Sequence, residues 1–293
     1  MEQTKKHWHD RTYKKLLIIP AALILFSIIY LFFFSSANGA LFYKDISLTG
    51  GTSVTIYDKI SVEDAEFYFQ DKLEDINIRE VFDITTQEQK ALIIETTTEG
   101  ELAKQIIEDF IGYDLVEGEN SDFQFTGSSL SESFYKQLLI AILIAFIFMA
   151  IVVFILFRSF VPSMAVIISA FADILMTLVL VDIVGIKMST AGIIAFLMLI
   201  GYSVDTDIML TTRILKRTEG TLNQRFYGAL KTGLTMTLTS FFAMSIALVI
   251  VSSFSITLTQ IFTILVIGLG FDILNTWITN VSILKWYAIK KRK

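Results

Sequence analysis

The 293-residue sequence has no cysteine, two prolines and two histidines. Without cysteine there is no disulfide, no thiolate nucleophile and no thiolate-held zinc or iron–sulfur cluster. The histidines, His7 and His9, sit together in a charged N-terminal segment, too few for a His-built metal site or for a Ser–His–Asp relay. Two prolines leave no Pro-rich linker. Gly50-Gly51 is not followed by the G-x-G-x-x-G pattern or a P-loop lysine, so a nucleotide cradle is not expected. The sequence therefore offers no catalytic constellation, no cofactor site and no metal site, and it reads as a non-enzyme.

What it has in abundance is apolar surface. Apolar residues make up 54% of the chain, 25 of them phenylalanine, and the mean hydropathy is +0.63. Several runs approach the roughly 20 apolar residues that cross a bilayer. The first, 16–34, follows Lys5, Lys6, Arg11, Lys14 and Lys15, set against Glu2 and Asp10. Basic flanks stay on the cytoplasmic side, which places the N-terminus (1–15) inside. A cleaved signal peptide is the alternative, with Ala37-Asn-Gly-Ala40 as its processing site. The run is longer than the usual apolar core of a signal peptide, which favours an uncleaved anchor. Pro20 lies in the first turn, where its missing N–H does little harm.

Between Ser36 and Tyr135 the composition changes: 21 acidic residues face 6 basic ones, and no run is long enough to span. This stretch reads as a folded aqueous domain on the outer face. Its elements are a strand over Thr52–Tyr57, a helix over Val62–Glu74 opened by Ser61-Val-Glu-Asp, and strands over Ile76–Phe82 and Ala91–Thr96. A helix over Glu101–Ile111, stopped by Gly112, and a strand over Asp122–Thr126 complete it. The order βαββαβ is that of a ferredoxin-like α+β domain. Its acidity is most simply a solubility device; binding a basic or unfolded partner is the other reading. Five further spans are expected near 137–157, 163–183, 190–210, 233–252 and 258–284, which gives a membrane α-helical bundle of six transmembrane helices. Pro162 opens one of these helices at a favoured position. Arg158 and the cluster Arg213, Lys216, Arg217 and Arg225 mark inside loops, and the basic tail 285–293 is inside as well. Lys187, in the outside turn Gly185-Ile-Lys187, is the one exception. Basic clusters beside spans are topology determinants and anionic-lipid contacts, so no nucleic-acid partner is expected.

Polar groups inside the spans are the candidate functional residues. A carboxylate at the bilayer centre costs at least about 2.5–3.5 kcal/mol. The chain nevertheless carries Asp205 and Asp207 near the end of one span and Asp173 in the middle of another, with Thr177 one turn on. Asp205 and Asp207 point about 200° apart on a helix, so they do not serve one site symmetrically. Gly201, one turn before Asp205, is a place for close helix approach. Asp182 falls near a helix end and is set aside as interfacial, and Asp272 lies within the last span. In the fifth span Lys231, Thr235 and Thr239 recur at i, i+4 and i+8, with Thr232, Thr237 and Ser240 beside them. Thr and Ser in such stripes also act as packing glue between helices. Lys231 is either a counter-charge to the carboxylates or a snorkelling interfacial lysine. The functional reading is a proton or cation relay.

Three motifs resemble those of the SecF family, which works with SecD in protein export and shares the resistance-nodulation-division (RND) transporter layout. Asp45-Ile-Ser-Leu-Thr-Gly-Gly-Thr52 is similar to the family segment ending in Gly-Gly-Thr (here Gly50, Gly51 and Thr52). Phe125-Thr-Gly-Ser-Ser-Leu130 is similar to its approach to the second span, without the proline. Gly201-Tyr-Ser-Val-Asp-Thr-Asp-Ile-Met-Leu-Thr-Thr-Arg213 is similar to its Gly-Tyr-Ser signature, through Tyr202, Ser203 and Arg213. The bacterial family's functional Asp falls at Thr206, SecD's own Asp falls at Asp205, and the family's fifth-span Arg falls at Lys231. The pattern resembles that of the archaeal branch. The resemblance implies a cell-membrane subunit that assists translocation through the Sec channel, with a SecD-like subunit, the channel, translocating polypeptide and the lipid bilayer as partners. On that reading Asp205 is the principal titrating group, Asp173 and Asp207 support it, and Lys231 is the counter-charge. The alternatives are an RND-like half-subunit moving a small molecule or lipid, and a non-transporting translocon scaffold.

Overall fold

A computed structural model describes residues 15–82, 86, 88–216, 221–252 and 255–291. The basic N-terminal residues before Lys15, the two histidines, Arg217 and the last two tail residues lie outside the described residues. Helix α1 (Ile18–Asn38) leads through a one-turn α2 (Ile46–Thr49) into β1 (Gly51–Ile56), α3 (Val62–Phe69), β2 (Asn77–Phe82), β3 (Gln89–Thr96), α4 (Gly100–Ile111) and β4 (Ser121–Thr126). The remainder is helical: α5 (Ser128–Phe157), α6 (Phe160–Ile183), α7 (Thr190–Leu215), α8 (Leu222–Val251) and α9 (Ile256–Leu274). A π-turn over Asn275–Asn280 then continues into α10 (Val281–Lys291). Six helices, α1, α5, α6, α7, α8 and the α9–α10 rod, are long and apolar enough to cross a membrane.

The small sheet is antiparallel throughout, in the order β2-β3-β1-β4. Alternation builds its core: Val54 and Ile56 of β1 and Leu92 and Ile94 of β3 point to one face, where Ala65 and Phe69 of α3 and Ala103 and Ile107 of α4 cover them. Ser61 caps α3, its hydroxyl accepting the Asp64 N–H at 3.4 Å. The helix stops at Phe69 rather than Glu74; residues 70–75 turn instead, with Asp75 in the left-handed region at φ 47° while Leu73 still reaches the core. The Gly50-Gly51-Thr52 motif is a corner. Both glycines have positive φ, and a side chain on Gly51 would drive into the backbone of Thr96. Thr52 fixes the strand start by donating to the Thr98 carbonyl at 2.8 Å.

The domain is mounted on the turn between α6 and α7. Met188 N–H donates to the Tyr43 carbonyl at 2.6 Å, and Asp45 N–H donates to the Met188 carbonyl at 2.9 Å. The Ser47 hydroxyl accepts the Thr190 N–H at 3.2 Å. Asp182, set aside on sequence grounds as interfacial, is almost fully buried and holds two elements at once. It accepts the Tyr30 hydroxyl of α1 and the Tyr43 N–H, each at 3.1 Å. Lys187, the charge that fitted the sequence pattern least, pairs with Asp75 of the sheet domain at 2.8 Å.

Within the bundle more than half of the residues of the apolar segments of α6 and α7 are buried, whereas α5 and α8 carry few fully buried residues. Several boundaries differ from the hydropathy reading: α7 runs on to Leu215 rather than 210, and α8 begins at Leu222 rather than 233. Helix α5 begins at Ser128, ahead of the apolar run that opens near 137, because a helix need not stop where its apolar face does. The basic segment from Lys285 is not a loose tail but the end of α10 as far as Lys291. Lys285 is nearly buried, its ammonium 5.5 Å from the Phe226 ring centre.

Candidate carboxylate relay in the helix bundle

Three carboxylates from three elements meet at the centre of the bundle: Asp173 of α6, Asp207 of α7 and Asp272 of α9, each with no exposed surface. Helical periodicity brings them there. Ser203 and Asp207 are one turn apart on the inner face of α7, and the Ser203 hydroxyl donates to Asp173 Oδ2. The π-turn completes the site. Wider than an α-turn and frequent at functional positions, it buries Asn275, Thr276, Thr279 and Asn280 together. Asn275 Nδ2 donates to Asp173 Oδ1 at 2.7 Å, and its own Oδ1 accepts the Thr279 hydroxyl at 3.2 Å. Asn280 Nδ2 donates to Asp207 Oδ1 at 2.7 Å. The Thr276 hydroxyl lies 2.8 Å from Asp207 Oδ1 and 3.1 Å from Asp272 Oδ1.

Hydrogen bonds to charged groups contribute about 1.5–3 kcal/mol each, which offsets part of the cost of burying carboxyls in a low-dielectric bundle. Yet the cluster is unbalanced. No ion pair among the described residues reaches any of the three carboxyls. Among the described residues Asp207 Oδ2, Asp272 Oδ2 and Asn280 Oδ1 have no hydrogen-bond partner within 3.5 Å, nor do the hydroxyls of Thr177, Thr211 and Ser282. Such a constellation of buried acceptors and rotatable hydroxyls can take up, hold and pass on a proton or a small cation. Among the described residues no group of three or more His, Cys, Asp or Glu side chains is arranged as a metal site.

The structure redistributes the residues expected from sequence. Asp205 is exposed on the outer face of α7, away from the cluster, because the two-residue step from Asp207 turns it to the opposite side. Lys231 is exposed on α8 and forms no ion pair among the described residues, so it is not the counter-charge of the buried carboxyls. Thr235 and Thr239 share that outer face, and their hydroxyls bond their own helix, to the carbonyls of Lys231 and Thr235, at 2.7 Å each. Gly201 is also exposed, and no neighbouring helix approaches it: a Cβ there would meet nothing within 4 Å. Gly192, Gly233 and Gly268 are close approaches instead, against Met188 and Ile264, Trp277, and Leu199 respectively. Thr206 faces inward, its hydroxyl 3.5 Å from that of Thr237. Thr177 is buried beside Asp173's helix face without a hydroxyl partner. Tyr202 packs on the apolar core beside Phe196 and Leu199. Arg213 clamps α7 to α8, donating to the Gly228 carbonyl at 3.0 Å and to the Thr232 hydroxyl at 2.6 Å.

Asp272 was visible in the sequence but unassigned, and Asn275, Thr276 and Asn280 were missed. Their signal was there: polar residues at 272, 275, 276, 279 and 280 follow the i, i+3, i+4, i+7, i+8 spacing of one helix face inside an apolar run.

Outside the membrane-spanning helices, burial raises Tyr57, Tyr113 and Glu95 above their ordinary values. Burial, then the nearby Asp45 carboxylate, pushes Glu95 of β3 above the usual carboxylate range, while Arg79 and Asn77, both hydrogen-bonded to it, pull the other way.

Comparison with known proteins fits this architecture. Residues 108–290 match the profile described as protein export membrane protein SecD/SecF, C-terminal. The "Protein-export membrane protein SecF" of Methanocaldococcus jannaschii is 39% identical over 96% of this chain and 98% of its own length. That of Methanolacinia petrolearia is 36% identical over 96% and 95%. The crystal structure of SecDF, a translocon-associated membrane protein from Thermus thermophilus, superposes on 94% of the chain with a TM-score of 0.73 at 16% identity, a likeness of fold. This chain spans 38% of that structure's length. With matching sequence over nearly its whole length and six apolar helices, the chain is a multi-pass membrane protein that belongs to the SecD/SecF family of protein-export membrane proteins.

Proposed function

We propose that this chain is a SecF-type subunit that assists protein translocation through the Sec channel, and that it couples this work to proton or cation movement through the buried carboxylates. The observation that carries the coupling is the Asp173–Asp207–Asp272 cluster. Three buried carboxyls, two of them with an unpaired oxygen, are more than helix packing requires, since packing is served equally well by hydroxyls and small residues. No covalent chemistry is assigned to the chain. The family likeness supports the Sec role, and the archaeal relatives named SecF support the branch.

A second membrane subunit, SecD-like in this reading, fits the outer face of α7 and α8. Asp205, Lys231, Thr235 and Thr239 are all exposed on spans, and charged groups facing hydrocarbon are costly. A polar partner surface there would cover them and give Asp205 and Lys231 the role at the subunit interface that they lack inside this chain. In the same reading both termini are cytoplasmic, and the sheet domain is ferredoxin-like and extracytoplasmic, placed to meet emerging polypeptide. The strand order β2-β3-β1-β4 with its two helices supports that fold assignment.

The test is the export rate of a signal-bearing substrate in cells whose only copy carries Asp207→Asn, with co-purification of the SecD-like subunit in parallel. Lost export with an intact complex is the expected result. Normal export would remove the relay and leave a translocon scaffold. Lost export of a small molecule or lipid, with protein export intact, would favour an RND-like transporter half instead.

A further inference from the structure

The hydroxyl of Thr276 has one hydrogen and two carboxyl neighbours, Asp207 Oδ1 at 2.8 Å and Asp272 Oδ1 at 3.1 Å. A hydroxyl donates once, and an ionised carboxylate only accepts. With both carboxyls ionised, one of the two contacts would set lone pair against lone pair between atoms that have no exposure to solvent. The two sides are not equivalent. Asp207 Oδ1 also receives the Asn280 amide at 2.7 Å, so two donors converge on it and stabilise a negative charge there. Asp272 Oδ2 has no hydrogen-bond partner within 3.5 Å among the described residues. The other ionisable groups on the packed elements do not relieve the shortage. Asp173 of α6 is a third acid, Lys231 of α8 is turned outward, and Lys285 of α10 lies over the Phe226 ring.

We propose that Asp207 and Asp272 hold a single proton between them, with the Thr276 hydroxyl as the bridge and Asp272 as its resident carrier. The hand-off is balanced. As the Asp272 O–H bond breaks, Thr276 Oγ accepts that proton. Its own hydrogen passes in concert to Asp207 Oδ1, so Thr276 ends as a neutral hydroxyl and the negative charge has moved from Asp207 to Asp272. Asp272 and Thr276 thereby join the last span to the relay. The α9 helix and the π-turn place them one helical turn apart, the spacing at which a side chain at i reaches one at i+4. The use of this pair in transport rests on the ion-coupled reading above; the shared proton does not.

The test is infrared spectroscopy of the full purified chain in lipid nanodiscs, which distinguishes the carbonyl stretch of a protonated carboxyl from the bands of an ionised one. The wild type should show a protonated-carboxyl band that shifts on transfer to heavy water. That band should be lost in Asp272→Asn, displaced but kept in Asp207→Asn and in Thr276→Val, and restored to its wild-type position in Thr276→Ser, the conservative variant that keeps the hydroxyl. No protonated-carboxyl band in the wild type, or one unchanged by both Asp substitutions, overturns the proposal. Export measured with the same variants separates the two ideas. A band that behaves as expected with full export in Asp272→Asn keeps the shared proton and removes the relay. A band that fails the test while Asp207→Asn abolishes export does the reverse.

Discussion

Gly201 and Gly233 lie in the interiors of neighbouring helices, and replacing each with alanine is a matched experiment on packing. A Cβ at Gly233 would sit 2.6 and 2.8 Å from Cζ2 and Cη2 of Trp277 and 2.7 Å from the terminal methyl of Met209. The methyl of a methionine swings aside at little cost. The indole does not, because Trp277 is nearly buried within the π-turn. Overpacking of this kind costs about 1–3 kcal/mol. At Gly201 the same Cβ meets nothing within 4 Å. Both substitutions gain the same helix propensity, about 1 kcal/mol, so that contribution cancels in the comparison. Gly233→Ala should therefore be less stable than Gly201→Ala by about 1–3 kcal/mol, roughly 5- to 150-fold in the folding equilibrium. The measurement is unfolding of the purified chain in mixed micelles by SDS titration, followed by circular dichroism and tryptophan emission. The chain is taken alone, because the face that carries Gly201 is the one assigned to a second subunit. Equal midpoints for the two variants would refute the packing of α8 against the π-turn.

Two further outcomes are expected. Asp182→Ala removes the acceptor for the Tyr30 hydroxyl and the Tyr43 N–H, a loss of about 1.5–3 kcal/mol per bond, which should appear as faster amide hydrogen exchange at Tyr43; unchanged exchange would mean that Asp182 does not hold the domain. Glu95 binds its proton more tightly folded than unfolded, so its contribution is fully present in acid and is lost as pH rises from the ordinary glutamate value through its raised one; Glu95→Gln should flatten that part of the sheet domain's stability-against-pH curve, and an identical curve would refute the assignment.

The spans and the sheet domain were legible because they depend on sums and periods. A run of about 20 apolar residues marks a span whatever surrounds it, and alternation at Val54, Ile56, Leu92 and Ile94 marks a strand face. The interior of the bundle was less legible because the inward direction of each helix is set by its neighbours. The sequence shows that Asp205 and Asp207 point apart, but only the packing of α6 and α9 against α7 decides that Asp207 is inside. The same holds for the glycines: Gly201 sits in a signature motif, while the tight contact falls on Gly233, whose partner Trp277 lies 44 residues away in the chain. The polar face from Asp272 to Asn280 was readable from spacing alone. It went unread because polar residues there resemble the glue that any helix pair uses.

The mount of the sheet domain has a mechanical consequence. Tyr43 and Asp45 are laced to Met188, and Met188 lies in the turn that joins the two helices bearing Asp173 and Asp207. From Asp173 to the end of α6 at Ile183 is a stiff rod of about 15 Å. A tilt of roughly 10° about the carboxyl at one end displaces the other end of such a rod by about 2.5 Å. Asp182 and Lys187 ride at that far end and grip the chain just after α1 and the rim of the sheet domain. A change in charge at the centre of the bundle that rocks α6 would thus reach the domain as a displacement of its foundation.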